Sequence, residues 1–407
     1  MHLYHRIGQD REDRGTVQDR GTVHLSCLAE DKTDEPSPCL PCLALFGDIN
    51  APVSETPRII ITSPLWAYLK IAEGCDNRCA YCCIPDIRGR FRSRPLENIV
   101  TEAKKLADTG IRELILVAQD LTRYGLDLYG KRKLYDLLAE LNKIEDLKWI
   151  RLHYMYPDEF DDELIDFIAK SGKIVKYLDI PIQHINDGVL KKMNRRGTSK
   201  DIKELFRRLR ESIPGIVLRT SLITGLPGEG KKEFEELCDF LREAKIERVG
   251  VFAYSPEDGT PAALMGRPPK SVAAKRAELL LNIQAGIMKQ WNESRIGSIT
   301  TVLVEGFKAP DEKSNVYLAR SYAESPGIDG YIYVKGLNIK TDKQSPYSDD
   351  KIVPSPSVPD SVQKDDKIVP SPYVTSVTSV PCFMDVRITG IENGILVGDP
   401  LLIQQIN

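Results

Sequence analysis

The sequence has no long hydrophobic run. No stretch reaches the roughly 18 consecutive apolar residues that a membrane span requires, so no membrane helix is expected. The opening residues, MHLYHRIGQDREDRGTV, lack an apolar core and are not expected to be a secretory signal. Neither charge is in surplus: 56 Lys and Arg stand against 59 Asp and Glu, a net of −3. Such balance gives no global electrostatic reason to expect a dedicated nucleic-acid binder. The chain is therefore expected in the cytoplasm. There, its nine cysteines are better explained by metal binding or catalysis than by disulfides.

What is there is enough for a sizeable core. The 407 residues are 42% hydrophobic and 28% charged, which suggests a mostly globular chain of two or three domains. Residues 1–60 are polar and irregular, with DRGTV at 13–17 and 19–23 and a Pro-rich DEPSPCLPC. Only LALFG near 43–47 reads as more ordered. The core domain is expected over 61–292. Its strand-like runs are AYLKIAEGC, ELILVAQD, WIRLHYMYP, KYLDIPIQ, IVLRTSLITG and RVGVFAYS. Amphipathic helices alternate with them, such as 95–110, with Pro95 in its first turn, a stripe of Ile99, Ala103 and Leu106, and Gly110 at its end. A second such helix, 233–246, places Cys238 in its apolar stripe. Six strands alternating with helices predict a parallel α/β sheet, either doubly wound or curved toward a barrel. After a helical connector at 268–292, short β runs over 293–407 predict a small all-β barrel. A Pro-, Ser- and Asp-rich segment interrupts it at about 339–381, with DDKIVPSP at 349–356 and again at 365–372. Exact duplication in that composition reads as a disordered loop insertion without chemistry.

The sharpest motif is EGCDNRCAYCCIP. Cys75, Cys79 and Cys82 are spaced Cys-x3-Cys-x2-Cys. Three thiolates in one loop can hold three irons of a cubane cluster and leave the fourth open, and an open metal position is what catalysis needs. The loop follows the first strand, at the sheet edge where α/β proteins carry their sites. The alternatives are a zinc knuckle, for which only Asp76 and Asp86 stand nearby as a fourth ligand, and a set of buried cysteines. Cys83 is left out of the ligand set.

With Tyr81 before its last cysteine, the motif resembles the radical S-adenosylmethionine (SAM) superfamily. Within it, residues 57–337 resemble the methylthiotransferases, through YLKIAEGCDNRCAYC, IRGRFRSRP, LVAQDLTRYG, DIPIQHINDGVLKKMNRR, GLPGE, YSPEDGTPA and ARSYAESPGIDGYIYV. The resemblance implies a partial (βα)6 barrel followed by a TRAM module. It implies that Cys75, Cys79 and Cys82 ligate a 4Fe-4S cluster whose open iron chelates SAM, which is cleaved to a 5′-deoxyadenosyl radical. Strand-end residues would line the SAM site: Gln119 and Asp120 after the second strand, Gln183 and His184 after the fourth, and Gly225 after the fifth, where backbone can approach a ligand. Gln119, Asp120 and Gln183 would be polar contacts. His184 would touch substrate or orient a neighbour, or be structural. Arg88, Arg90, Arg92 and Arg94 would hold a carboxylate bidentately or form a solvated basic loop.

Two branches of this family modify tRNA adenosine or an aspartate of ribosomal small-subunit protein twelve. VAQDLTRYG and PIQHIND resemble the protein-modifying branch. Residues 294–407 carry 11 basic and 14 acidic residues, and an acidic module suits a basic ribosomal protein better than tRNA. An electron donor such as flavodoxin or ferredoxin is implied. The sequence also departs from the family. Methylthiotransferases begin with a longer domain whose three further cysteines hold an auxiliary cluster that carries the sulfur. Here about 60 residues precede the resembling stretch, and Cys27, Cys39 and Cys42 do not match that pattern. Most of that domain is therefore expected to be missing. The alternatives to methylthiotransfer are SAM cleavage without sulfur transfer, or a non-catalytic ribosome-associated module.

Overall fold

The computed structural model describes residues 23–25, 42–44, 48–53, 60, 63–158, 160–311, 314–335 and 383–401. The DRGTV repeats, except Val23, lie outside the described residues, as do Cys27, Cys39 and the duplicated insertion. Two compact units are present, Met1–Ala51 and Pro52–Asn407. In the first, Val23–Leu25 pairs antiparallel with Cys42–Ala44, so LALFG does contribute a strand.

The second unit opens on six parallel strands: β1 (Trp66–Lys70), β2 (Glu113–Val117), β3 (Trp149–Leu152), β4 (Ile174–Asp179), β5 (Val217–Thr224) and β6 (Arg248–Ala253). They hydrogen-bond in the order β1-β2-β3-β4-β5-β6. A doubly wound sheet reverses its strand order at a switch point. Here order in space follows order in chain from edge to edge, which settles the choice that periodicity leaves open. Right-handed crossovers then carry every connection to the same face. Among the described residues β1 and β6 do not pair, so the barrel is partial.

The connecting helices are α1 (Leu96–Asp108), α2 (Leu134–Asn142), α3 (Asp162–Lys170), α4 (Ser199–Ser212) and α5 (Lys231–Ala244), with α6 (Lys270–Ser294) following β6. Side chains alternate along a strand, and one set packs under these helices: Leu114, Leu116, Ile150, Leu152, Leu178, Leu218 and Leu222 share a core with Ile99, Leu137, Ile165, Leu205, Leu237 and Leu280. Cys238 lies in that core, as its stripe predicts. Pro95 caps α1 from just outside rather than standing in its first turn. The strands stop short of their predicted ends. Residues 118–120, 153–157 and 180–182 leave the ladder at the C-terminal ends of the strands, and Gln183 rejoins β5 through an isolated bridge to Leu222.

The last five strands are β7 (Ile299–Asp311), β8 (Ser314–Ser321), β9 (Ile332–Val334), β10 (Phe383–Glu392) and β11 (Ile395–Pro400). They close in the order β7-β8-β9-β11-β10 around Val302, Ala319, Val334, Val386 and Ile388, and closure removes exposed edges. Its β8–β9 connection reaches the inner face of the parallel sheet. The Tyr322 carbonyl accepts from Arg151 at 2.8 Å, Ser325 Oγ lies 3.0 Å from His153 Nε2, and Tyr177 donates to Asp329 at 2.6 Å. The small barrel thus floors the larger one. No described helix is long and apolar enough to cross a membrane.

Candidate active site

Cys75 to Cys83 form the loop that leaves β1. After Lys70 the chain makes a two-residue pair, Ala72–Glu73 with Arg92–Ser93, which returns the loop beside its own start. Gly74 makes the turn possible. Its φ is +81°, and a Cβ there would stand 2.1 Å from the Arg90 carbonyl oxygen. Cys75 N donates to Gly89 O at 3.2 Å, closing the loop at its neck.

The far end of the loop is bolted to the turn after the short helix Asp187–Lys192. Ala80 N donates to Met193 O and Ala262 N to Ala80 O, both at 2.9 Å. The Asn194 amide reaches Arg78 O at 2.9 Å. Ala80 and Tyr81 pack with Val189, Met193, Leu226 and Tyr254 in a separate small core. This anchorage is long-range, joining elements more than a hundred residues apart.

One side chain, that of Arg195, and one backbone N–H, that of Asn77, face the thiols. Arg195 is buried and donates to Tyr81 Oη at 3.1 Å and to Pro181 O at 2.6 Å, with Cys79 Sγ 3.6 Å away. Its guanidinium also covers the Tyr156 ring at 4.6 Å. Asn77 N approaches Cys75 Sγ at 3.5 Å. Burial pushes the Cys75 thiol up to about 11, and it raises Cys82 as well. Cys75, Cys79, Cys82 and Cys83 form no disulfide. Among the described residues no three His, Cys, Asp or Glu groups are arranged as ligands of one ion. A cubane cluster asks for something different, one thiolate for each of several irons. The donor set fits it: three thiols on one loop, water partly excluded, and N–H donors directed at sulfur, which tune such clusters.

The strand-end residues are drawn to the same mouth, in differing roles. Asp120 is buried and both its oxygens bond to the protein: Oδ1 accepts from Thr122 N at 3.1 Å and Oδ2 from the Asn77 amide at 2.9 Å. It thereby positions the cysteine loop. The Gln119 amide nitrogen donates to Glu73 at 3.2 Å, and its buried Oε1 has no partner. Gln183 is buried with φ at +69°, and its backbone bridges to β5 through Ser221 and Ile223. Gly225 has φ +78°, and the space over it is filled by Ala273 of α6, 2.4 Å from where a Cβ would lie. Its small size serves the packing of α6.

His184 is fully buried. Its Nδ1 accepts from Asn186 N at 3.0 Å and its Nε2 lies 3.4 Å from Glu229. Glu229 in turn accepts from Gly225 N at 3.0 Å and from Arg276 at 2.6 Å. This network braces the GLPGE turn, which gives His184 a structural part. The four arginines do not converge. Arg94 is buried against Glu102 and Lys70 O, Arg92 bonds to the carbonyls of Arg88 and Arg90, and Arg90 faces Asp76 at 3.4 Å.

Sequence reading overlooked Arg195, Asn77 and the polar lumen. One signal was available for the lumen. Parallel strands buried on both faces read as near-continuous apolar runs, yet β2 to β5 carry Glu113, Arg151, Asp179 and Arg219 on the face turned from the helices. Nothing in the sequence marks Arg195 as a neighbour of Cys79, 116 residues earlier.

Residues 69–241 match the family model described as Radical SAM superfamily, and residues 296–345 the one described as TRAM domain. The chain is similar to the ribosomal protein uS12 methylthiotransferase RimO of Caldanaerobacter subterraneus subsp. tengcongensis, 52% identical over 281 residues, 69% of this chain and 63% of that protein. It is 49% identical over 299 residues to the protein of that name from Clostridium perfringens, covering 73% of this chain and 66% of the relative. With that of Acetivibrio thermocellus the identity is 52% over 277 residues, 68% and 60% of the two chains. The chain thus spans less than two thirds of the length of these curated relatives. Among solved structures, the radical SAM methyltransferase TsrM of Kitasatospora setae aligns over 49% of this chain and 38% of its own, with 22% identity and a TM-score of 0.42.

Proposed function

We propose, from its match to the radical SAM superfamily model and its similarity to relatives of the RimO type, that the chain is a radical SAM enzyme that adds a methylthio group to the β-carbon of an aspartate in ribosomal protein uS12. Cys75, Cys79 and Cys82 would hold a 4Fe-4S cluster. Gln119 and Gln183, with the Gly225 turn, would border SAM. When bound, cluster and SAM together supply the hydrogen-abstracting radical and the methyl group. This chain's residues supply position. Asp120 and Asn77 fix the start of the loop, Arg195 places a cation beside Cys79, and the 322–330 connection closes the floor against water. A reduced flavodoxin or ferredoxin would deliver the electron, in the cytoplasm. The observation that carries this reading is the three-thiol loop, anchored by Arg195 and Asn77 over the mouth of a sequentially wound parallel sheet.

The first test is iron and acid-labile sulfide after anaerobic reconstitution. About four irons, falling to about zero when the three cysteines become Ala, fits one cluster. About eight falling to about four would assign a second cluster to Cys27, Cys39 and Cys42 and supply the sulfur-carrying half. No iron in the intact protein overturns the reading. Substrate is tested by mass analysis after incubation with uS12 or with tRNA. A methylthio group on tRNA alone would replace this reading with the adenosine-modifying one. SAM cleavage that leaves both substrates unchanged would leave a SAM-cleaving homologue without sulfur transfer.

A further inference from the structure

Below the cysteine loop, the lumen holds a charged pair that the cofactor-binding set leaves unused. Asp179 ends β4 and Arg219 stands beside it on β5. Arg219 Nη1 donates to Asp179 Oδ2 at 2.8 Å. Asp179 is 2% exposed, and its Oδ1 has no hydrogen-bond partner. A buried carboxylate oxygen without a donor is costly unless something arrives to fill the role.

The other lumen cations are committed elsewhere. Arg151 is fully buried, bonded to Glu113 and Tyr322 O and covered by the Tyr177 ring at 4.8 Å. Arg248 goes to Glu324 and the Trp291 ring. Arg195 goes to Tyr81, Pro181 and the Tyr156 ring. Arg219 keeps its second terminal nitrogen toward Gly250 on β6, where a Cβ would come within 3.7 Å of that nitrogen and 3.3 Å of the Phe252 ring. The missing Cβ lets the guanidinium and the Phe252 ring, which is 57% exposed, both lie against Gly250, and the Arg219 side chain keeps 15% of its surface exposed. Tyr154 follows β3 at φ +68°, and burial, with Asp179 nearby, raises its hydroxyl while Arg195 and Arg219 lower it.

We propose that Arg219 and Asp179 form the reader of the residue to be modified: Arg219 takes the side-chain carboxylate of the incoming aspartate, and the free Asp179 Oδ1 accepts a backbone N–H of the same peptide. The proposal rests on the protein-modifying reading above and names its specificity determinant. Arginine suits a planar carboxylate because its fork donates two parallel bonds. Holding the carboxylate fixes the carbon next to it, the one from which hydrogen is taken. A site built around a charge-assisted bond rejects an isostere that cannot complete it, so asparagine would be discriminated against.

The test uses the full reconstituted chain with SAM and two fluorescent basic-flanked peptides, identical except for a single aspartate or asparagine. The wild type is expected to bind the aspartate peptide about tenfold or more tightly. The double variant Arg219→Gln with Asp179→Asn leaves a neutral, hydrogen-bonding pair, and its melting temperature and iron content serve as folding controls. It is expected to bind both peptides equally, whereas Arg219→Lys retains part of the preference. No preference in the wild type, or an undiminished one in the double variant, overturns the proposal. A β-deuterated aspartate peptide separates the two levels. Preference lost in the double variant without deuterium ever reaching 5′-deoxyadenosine in the wild type would keep the carboxylate site and remove the aspartate-modifying reading.

Discussion

Arg320, at the end of a small-barrel strand, and Glu113, at the start of β2, meet at 2.7 Å with neither side chain reached by solvent. They are 207 residues apart. Arg151 joins Glu113 at 2.7 Å, and Glu305 bonds Arg320 from the barrel side. Burial alone would raise the Glu113 carboxyl, but Arg151 and Arg320 hold it below its ordinary range. Replacing Arg320 by Met would leave Glu113 and Glu305 short of a counter-charge, at a cost of about 3–5 kcal/mol. Chemical denaturation measures this, and a loss under about 1 kcal/mol would show that the network does not hold the two barrels together.

His153 sets a pH limit. Burial, with Arg151 and Arg219 nearby, pushes its imidazole down to about 3, whereas an unfolded histidine titrates near 6.5. Below that value the unfolded chain binds the proton and the folded one does not. The contribution of His153 is therefore complete above about pH 6.5 and declines as pH falls toward 3, by at most about 1.4 kcal/mol per unit. Stability measured across this window should be flatter in His153→Asn. An unchanged slope would mean that other groups set it.

Gly74→Ala should release the cysteine loop without unfolding the sheet. The added Cβ meets a backbone oxygen at a φ of +81°, so the neck has to open. Reconstituted iron is expected to fall strongly, with far-ultraviolet circular dichroism unchanged. Full iron retention would show that the neck does not govern the loop.

Asn77→Ala should act more mildly. It leaves Asp120 Oδ2 without its 2.9 Å donor, about 1–3 kcal/mol of lost loop ordering. Asn77→Asp should be worse than Ala, because it sets a second carboxylate against the buried one. Iron retained under a chelator ranks the three proteins, and the order wild type, Ala, Asp is expected. Reversal of the last two would show that Asp120 is protonated there.

The candidate site was legible in part. Cys-x3-Cys-x2-Cys is local, so its place after β1 could be read directly. The strand-end rule brought Gln119, Asp120, Gln183 and Gly225 to one mouth, because parallel strands all end on the same side. What each does was not legible. Asp120 turned out to serve Asn77 and Thr122, and Gly225 makes room for Ala273. Thr122 is a local partner, but Asn77 lies 43 residues before Asp120 and Ala273 lies 48 after Gly225, and no spacing pattern encodes those two.

By itself, the sequence determined the alternation of strand and helix, the apolar stripe of each helix, the thiol loop and the split between an α/β unit and a β barrel. All of these follow from short-range periodicity and turn chemistry. Only the tertiary structure decided that the sheet winds in one direction, that the second barrel floors the first, and that Arg195 faces Cys79. It also decided that Asp179 keeps an unpartnered oxygen beside Arg219. Each is a contact between distant segments, fixed when the strands close side by side and the charged residues on their inner face must find partners away from water.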